Sequence, residues 1–250
     1  MNTVIQIHEL FKKYKGADFF SVKELSLAIQ QQEIVGLIGP NGAGKTTLIS
    51  ILCGLIHPTS GTFTIKGLTY TDHALQIKNL IGIVPQEYAL YPTLTARENL
   101  TYFGSLYGLK GKNLKNKINE YLTILGLIHF ADKRIETFSG GMKRRINLIA
   151  GILHDPEILF LDEPTVGVDV QSKNVIIDFL NELNRKGTTI IYTSHHLAEA
   201  EDFCTRIAII DEGRIFIEGT PEFLIQSVAG ATNLEEVFLT LTGKKLRDAL

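Results

Sequence analysis

Gly39-Pro-Asn-Gly-Ala-Gly-Lys-Thr-Thr47 is the stretch whose reading decides the fold. It fits G-x-x-x-x-G-K-[ST], a loop whose successive backbone N–H groups point at one anion. Gly39, Gly42 and Gly44 let the backbone wrap closely, with Pro40, Asn41 and Ala43 between them in the same cradle. Lys45 supplies a point charge for the β- and γ-phosphates, Thr46 offers a hydroxyl to Mg²⁺, and Thr47 closes the motif. Working outward, Glu33–Ile38 reads as a buried strand and Thr47–Gly54 as a helix whose N-terminus faces the phosphates. A glycine-rich turn with a surface lysine is the plainer alternative. Strand, loop and helix fall where phosphate binding needs them, so the motif predicts a nucleoside triphosphate site without saying what the energy drives.

The chain has 250 residues, 44% of them hydrophobic and 21% charged, which is the balance of an ordinary globular protein of one domain or two lobes. A formal net charge of −2 argues against dedicated nucleic-acid binding, which shows a basic balance. Cys53 and Cys204 sit in apolar surroundings and are too few for a disulfide scaffold or a four-ligand zinc site, so they read as reduced core thiols. The sequence opens on no signal-peptide pattern and contains no apolar run of ~18 residues. Action at a membrane would therefore go through another chain.

Ile5 and Ile7, and then Leu25, Leu27 and Ile29, alternate with polar neighbours and predict two antiparallel strands. Tyr14, in the basic loop between them, can stack on a base or simply pack. Thr62–Ile65 and Ile81–Val84 predict further strands, the second ending at Pro85-Gln86. Gln86 thus stands at a strand end, where α/β sites are built. From about Leu90 the pattern turns helical: Thr95-Ala-Arg-Glu98 is a capping box, and Ile118, Tyr121, Leu122 and Leu125 mark a second helix ended by Gly126. Phe138-Ser-Gly-Gly-Met-Lys-Arg-Arg145 opens a third, with Ser139 as N-cap. Lys143, Arg144 and Arg145 crowd its first turns against the helix dipole, which suggests a nearby anion and a second anion site at Ser139, Gly140 and Gly141; an ordinary serine-capped helix whose cations point into solvent is the plainer alternative.

Ile158-Leu-Phe-Leu-Asp-Glu163 is a buried strand ending in two carboxylates. Asp162 can hold Mg²⁺, and Glu163 can orient and deprotonate a water. Thr188–Thr193 predicts a strand that delivers His195, which can donate to a γ-phosphate. Glu199, Glu201 and Asp202 read as a solvated acidic face, Ile207–Ile217 as a hairpin, and the segment from about Thr232 as an amphipathic helix on Leu234, Val237, Phe238 and Leu241.

In this order the pieces resemble the ATP-binding subunit of ABC transporters, from Tyr14 to the tail. The loop and the acid pair alone fit any P-loop ATPase; their combination with Phe138-Ser-Gly-Gly-Met and Ser194-His195 is specific. The resemblance implies an α/β fold, a P-loop core with an antiparallel β-subdomain and an inserted α-helical subdomain. It implies an ATP-binding domain over 1–230, with the helical insertion at about 90–154, and a C-terminal helical tail at 231–250. It implies ATP and Mg²⁺ as cofactors, ATP hydrolysis, dimerisation with itself or a similar subunit, and a transmembrane permease that holds the protein at the cytoplasmic face of the membrane. Carried over by position, Tyr14 resembles the adenine-stacking aromatic and Gln86 the glutamine that approaches Mg²⁺ and the water. Ser139, Gly140 and Gly141 match the signature loop, which in the family binds the γ-phosphate held by the opposite subunit. Glu163 resembles the general base, Asp169 the acid of the loop at the dimer interface, and His195 the switch histidine.

The chain departs from the family pattern at Phe138 and Met142 around the signature, at Gln32 in place of a glycine, and at Val168 and Val170 around Asp169; none of these removes a group expected to touch phosphate. Met142-Lys-Arg-Arg and the tail are similar to exporters of drugs and antibiotics, which implies export. A soluble ABC ATPase serving translation or DNA maintenance would carry two cassettes or a long coiled coil. A small-molecule kinase would leave Ser139 and His195 unexplained.

Overall fold

The computed structural model describes residues 2–243. The chain divides into two units, one running up to Lys78 and resuming at Thr189, the other spanning Asn79–Thr188.

In the first unit β1 (Thr3–Lys12) and β2 (Val22–Gln30) run antiparallel, with Ile5 opposite Ile29, Ile7 opposite Leu27 and Leu10 opposite Leu25. Alternation turns Ile5, Ile7, Leu25, Leu27 and Ile29 to one buried face, and a register shift between Ile7 and Leu10, with Glu9 at φ 43°, brings Leu10 onto it. β3 (Ile34–Ile38) leads through the glycine-rich loop into α1 (Lys45–Leu52). β4 (Ser60–Ile65) completes a three-stranded antiparallel sheet in the order β2-β1-β4, and α2 (Tyr70–Leu80), kinked at His73, follows it.

In the second unit β5 (Ile81–Val84) lies parallel to β6 (Ile158–Asp162), from Ile81 opposite Ile158 to Val84 opposite Leu161. Between them come α3 (Ala96–Leu106), α4 (Gly111–Ile124) and α5 (Gly140–Ile152), and after β6 comes α6 (Val170–Arg185). The capping box forms as read: Glu98 N–H donates to Thr95 Oγ1 at 3.1 Å, and Thr95 N–H to Glu98 Oε2 at 2.8 Å. Gly126, at φ 68°, turns the chain out of α4.

The chain then re-enters the first unit through β7 (Thr189–Ser194), α7 (Leu197–Phe203), β8 (Arg206–Asp211), β9 (Arg214–Gly219), α8 (Pro221–Ser227) and α9 (Leu234–Thr242). β3 lies between β7 and β8 and parallel to both, while β9 returns antiparallel along β8. A parallel strand covered on both faces needs an unbroken apolar run, and all five residues of β3 are buried.

Two helices were not anticipated from the sequence. α2 buries only Ile77, so it has no apolar stripe to read. α8 is short, and its legible signal is Thr220, whose side chain accepts from Phe223 N–H ahead of Pro221. The acidic run on α7 is also not simply solvated. Glu199 is buried, and Glu201 accepts from the N–H of Leu234 at 3.0 Å, tying α9 down at its first residue. α9 buries Leu234, Val237 and Phe238 as its pattern predicts, but Leu241, expected on the same face, is exposed in the last turn; residues 244–250 of the expected tail lie outside the described residues.

The loop after β3 is tightly threaded. A Cβ on Gly39 would lie 1.9 Å from the Ile210 carbonyl oxygen, and one on Gly44, at φ 103°, 2.1 Å from that of Ser21. Both obstacles are backbone and cannot rotate away. Gly39→Ala is therefore expected to lower stability by about 1–3 kcal/mol, as overpacking does, and to weaken nucleotide binding with it. A denaturation midpoint equal to that of the wild type would contradict this close approach.

Candidate active site

The first unit gathers three of the expected site elements. α1 starts directly behind the left-handed Gly44, so its first N–H groups, which no helix can satisfy internally, open towards the loop. Lys45 is 5% exposed, and its Nζ donates to the carbonyls of Gly39 at 2.7 Å and Pro40 at 3.0 Å, which holds the ammonium against the loop. Tyr14 comes to the far side of the same motif. Its hydroxyl lies 3.5 Å from Thr47 Oγ1, its ring is 44% exposed, and Lys12 Nζ sits 5.2 Å from the ring centre. An exposed ring held beside a phosphate-type loop is free to receive a flat base. His195 arrives through sheet register. Ser194 pairs with Ile38, so His195 leaves β7 at the level where Gly39 leaves β3.

The second unit gathers the carboxylates and the glutamine. β5 and β6 end side by side, which brings Gln86 and Glu163 together: Gln86 Nε2 donates to Glu163 Oε2 at 3.1 Å. Asp162 and Glu163 are each 6% exposed. Glu163 is held at φ 49°, a left-handed conformation that costs a non-glycine residue about 1–3 kcal/mol and that it shares with Glu9, Glu24, Gln32, Lys66, Asp155 and Glu212.

Ser139 caps α5, its side chain accepting from Met142 N–H at 3.3 Å, and both Ser139 and Gly140 are exposed. Gly141 is packed closely: a Cβ there would lie 2.4 Å from Ser172 Oγ and 3.1 Å from Asp169 Oδ2. Asp169 caps α6 through the Ser172 N–H at 2.9 Å, and that bond holds its carboxyl below the usual range. The signature-like loop and Asp169 therefore form one neighbourhood.

The cations after Ser139 correct the sequence reading. Arg144 is 3% exposed, and its Nη1 donates to the carbonyls of Pro85 at 3.1 Å and Gln86 at 2.9 Å. Arg145 donates to the carbonyls of Leu125 at 2.9 Å and Gly141 at 3.3 Å. Burial pushes the pKa of both guanidinium groups down, partly offset for Arg144 by Tyr88, Glu163 and Asp162, and for Arg145 by Asp169. Their charges meet carbonyl dipoles within the unit, so the argument from crowded cations to a bound anion fails for these two; the capped, exposed Ser139-Gly140 segment stands without it. Sequence reasoning also missed Tyr88 and Asn147, which grip the Gln86 segment. The available signal was Asn147, a polar residue within the apolar run Ile146-Asn-Leu-Ile-Ala150 of α5.

Cys53 and Cys204 are buried and take part in no disulfide, as expected. No group of three or more His, Cys, Asp or Glu that could hold a metal ion occurs among the described residues. The Thr46 hydroxyl and the Asp162 carboxylate are, each within its own unit, oxygen groups of the kind that Mg²⁺ takes as ligands beside phosphate and water. No helix among the described residues is long and apolar enough to cross a membrane.

A sequence model of the ABC transporter family matches residues 22–166. The linearmycin resistance ATP-binding protein LnrL of Bacillus subtilis is 48% identical over 89% of this chain and 70% of its own length. The Nod factor export ATP-binding protein I of Burkholderia lata is 40% identical over 87% of this chain and 72% of its own. Among solved structures, a dimeric ATP-binding cassette in a post-hydrolysis state with ADP and Pi bound superposes with a TM-score of 0.79, at 27% identity, over 86% of this chain and 98% of that one. The chain belongs to the ABC transporter family, as an ATP-binding, ATP-hydrolysing subunit.

Proposed function

We propose that this chain drives export through a separate transmembrane permease by closing and reopening as a dimer around ATP·Mg²⁺. The cassette is taken as 1–230, with its helical part at about 90–154, and 231–250 as an appended tail. The first unit supplies Tyr14 for the adenine, the Gly39–Thr47 loop with Lys45 for the phosphates, Thr46 for Mg²⁺, and His195 for the γ-phosphate. The second supplies Asp162 and Gln86 for Mg²⁺ and the attacking water, and Glu163 as general base. Ser139, Gly140 and Gly141 bind the γ-phosphate of the partner copy, with Asp169 at the interface. Mg²⁺ held there would neutralise phosphate charge; the protein's own share is to position and desolvate.

The observation that carries the reading is the pair Gln86–Glu163 at the shared end of β5 and β6. A buried carboxylate beside an orienting amide is what a base for water needs. The names of the resistance and export relatives support export. The family's use of a permease supports the membrane partner and, with it, a position at the cytoplasmic face of the membrane. A concavity of about 550 Å³, lined by Gln86, Tyr88, Leu90, Pro92 and Ile135, supports docking of that partner beside Gln86.

Glu163→Gln keeps the shape and removes the base. ATP should still bind and drive dimerisation, while turnover falls by roughly 10²–10⁴-fold, the usual share of a general base. Wild-type turnover in a phosphate-release assay would remove Glu163 from that role. Lys45→Ala deletes a charge-assisted contact of about 1.5–3 kcal/mol, so the dissociation constant for ATP should rise by about 10- to 100-fold. An unchanged constant in a nucleotide titration would refute phosphate binding by Lys45.

A further inference from the structure

The segment from Pro85 to Ala89, which carries Gln86, is held to α5 along its whole length. Arg144 bonds two of its carbonyls, those of Pro85 and Gln86. Arg144 Cζ also lies 4.9 Å from the centre of the Tyr88 ring, and the Tyr88 hydroxyl donates back to the Gly140 carbonyl at 3.2 Å. Asn147, one turn further along α5, donates through Nδ2 to the Pro85 carbonyl at 3.2 Å and accepts from Ala89 N–H through Oδ1 at 3.2 Å. Both Arg144 and Asn147 are buried, so water does not compete for these bonds.

We propose that Arg144 is a positioning residue for hydrolysis: from the helix that begins at Ser139 it fixes the Gln86 backbone, so that the Gln86 amide meets the Glu163 carboxylate. The inference rests on the reading of Gln86 and Glu163 given above. α5 moves as one body from its cap, so any displacement of the Ser139 loop carries the Arg144 guanidinium with it. The guanidinium grips Gln86 by its own carbonyl, at the residue whose side chain must point at Glu163. Occupation of the Ser139 loop is thereby transmitted to the group that orients the water. Lysine at this position would keep the charge but lose the planar guanidinium that both donates from Nη1 to the two carbonyls and lies over the Tyr88 ring.

The test is a double-mutant cycle on the full-length chain, reading kcat and KM for ATP in Arg144→Met, Arg144→Lys, Gln86→Ala and the combinations. Displacement of a reacting group by about 1 Å can cost on the order of 10²-fold in rate. Arg144→Met should therefore lower kcat by up to about that factor with KM for ATP little changed, and Arg144→Lys should recover part of the loss. In the Gln86→Ala background either substitution should lower kcat no further, because the group that Arg144 positions is gone. A purely structural arginine would instead give losses that multiply with that of Gln86→Ala, or a rise in KM with kcat unchanged, and either result overturns the inference alone. A Gln86→Ala enzyme with wild-type turnover would overturn the proposed role of Gln86 as well. If Arg144→Met does not fold, the cycle is closed with Arg144→Lys, which keeps the charge.

Discussion

Concentrated negative charge must be met by donors that are in place before it arrives. In this chain that requirement is answered by backbone. The loop from Gly39 to Gly44 passes so close to the carbonyls of Ile210 and Ser21 that no side chain fits at either end. The left-handed Gly44 then turns the chain directly into α1. The strands around it serve that placement: β3 is buried between β7 and β8, which fixes where the loop begins and where His195 leaves the sheet. A preorganised cradle needs no reorganisation when charge develops, which is where electrostatic catalysis gains most.

The second unit follows the same principle with side chains. β5 and β6 end in register, and the Gln86–Glu163 bond forms across that edge. Glu163 makes it from a left-handed backbone. The supports are again rigid elements, here α5 acting through Arg144 and Asn147 on Pro85, Gln86 and Ala89. The tail is anchored more simply, by the buried face of α9 and by Glu201 at its first N–H.

Much of this was legible in the sequence because the physics is local or periodic. The alternation through Ile5, Ile7, Leu25, Leu27 and Ile29 follows the pleat, and these residues face one another across β1 and β2. The caps at Thr95 and Ser139 announce their helices through spacings fixed by the first helical turn. α2 stayed hidden because a helix that buries one side chain leaves no period to detect. The purpose of Arg144 stayed hidden for a different reason: its partners are backbone carbonyls 58 and 59 residues away, and a carbonyl has no letter in the sequence. Charge counted along the helix suggested an anion, whereas tertiary structure supplied two dipoles. The meeting of Gln86 with Glu163 likewise needed the register of β5 against β6, which strand patterns alone do not specify.

The central claim is that a single copy owns only part of each reaction centre, its phosphate loop waiting on the Ser139 loop of another. The most direct measurement is ATP turnover per chain as a function of protein concentration, at saturating ATP, from the nanomolar to the micromolar range. The account predicts a rate per chain that rises with concentration and then levels as dimers form. A rate per chain that stays at its maximum down to the lowest concentration, in a sample that remains monomeric throughout, would contradict it.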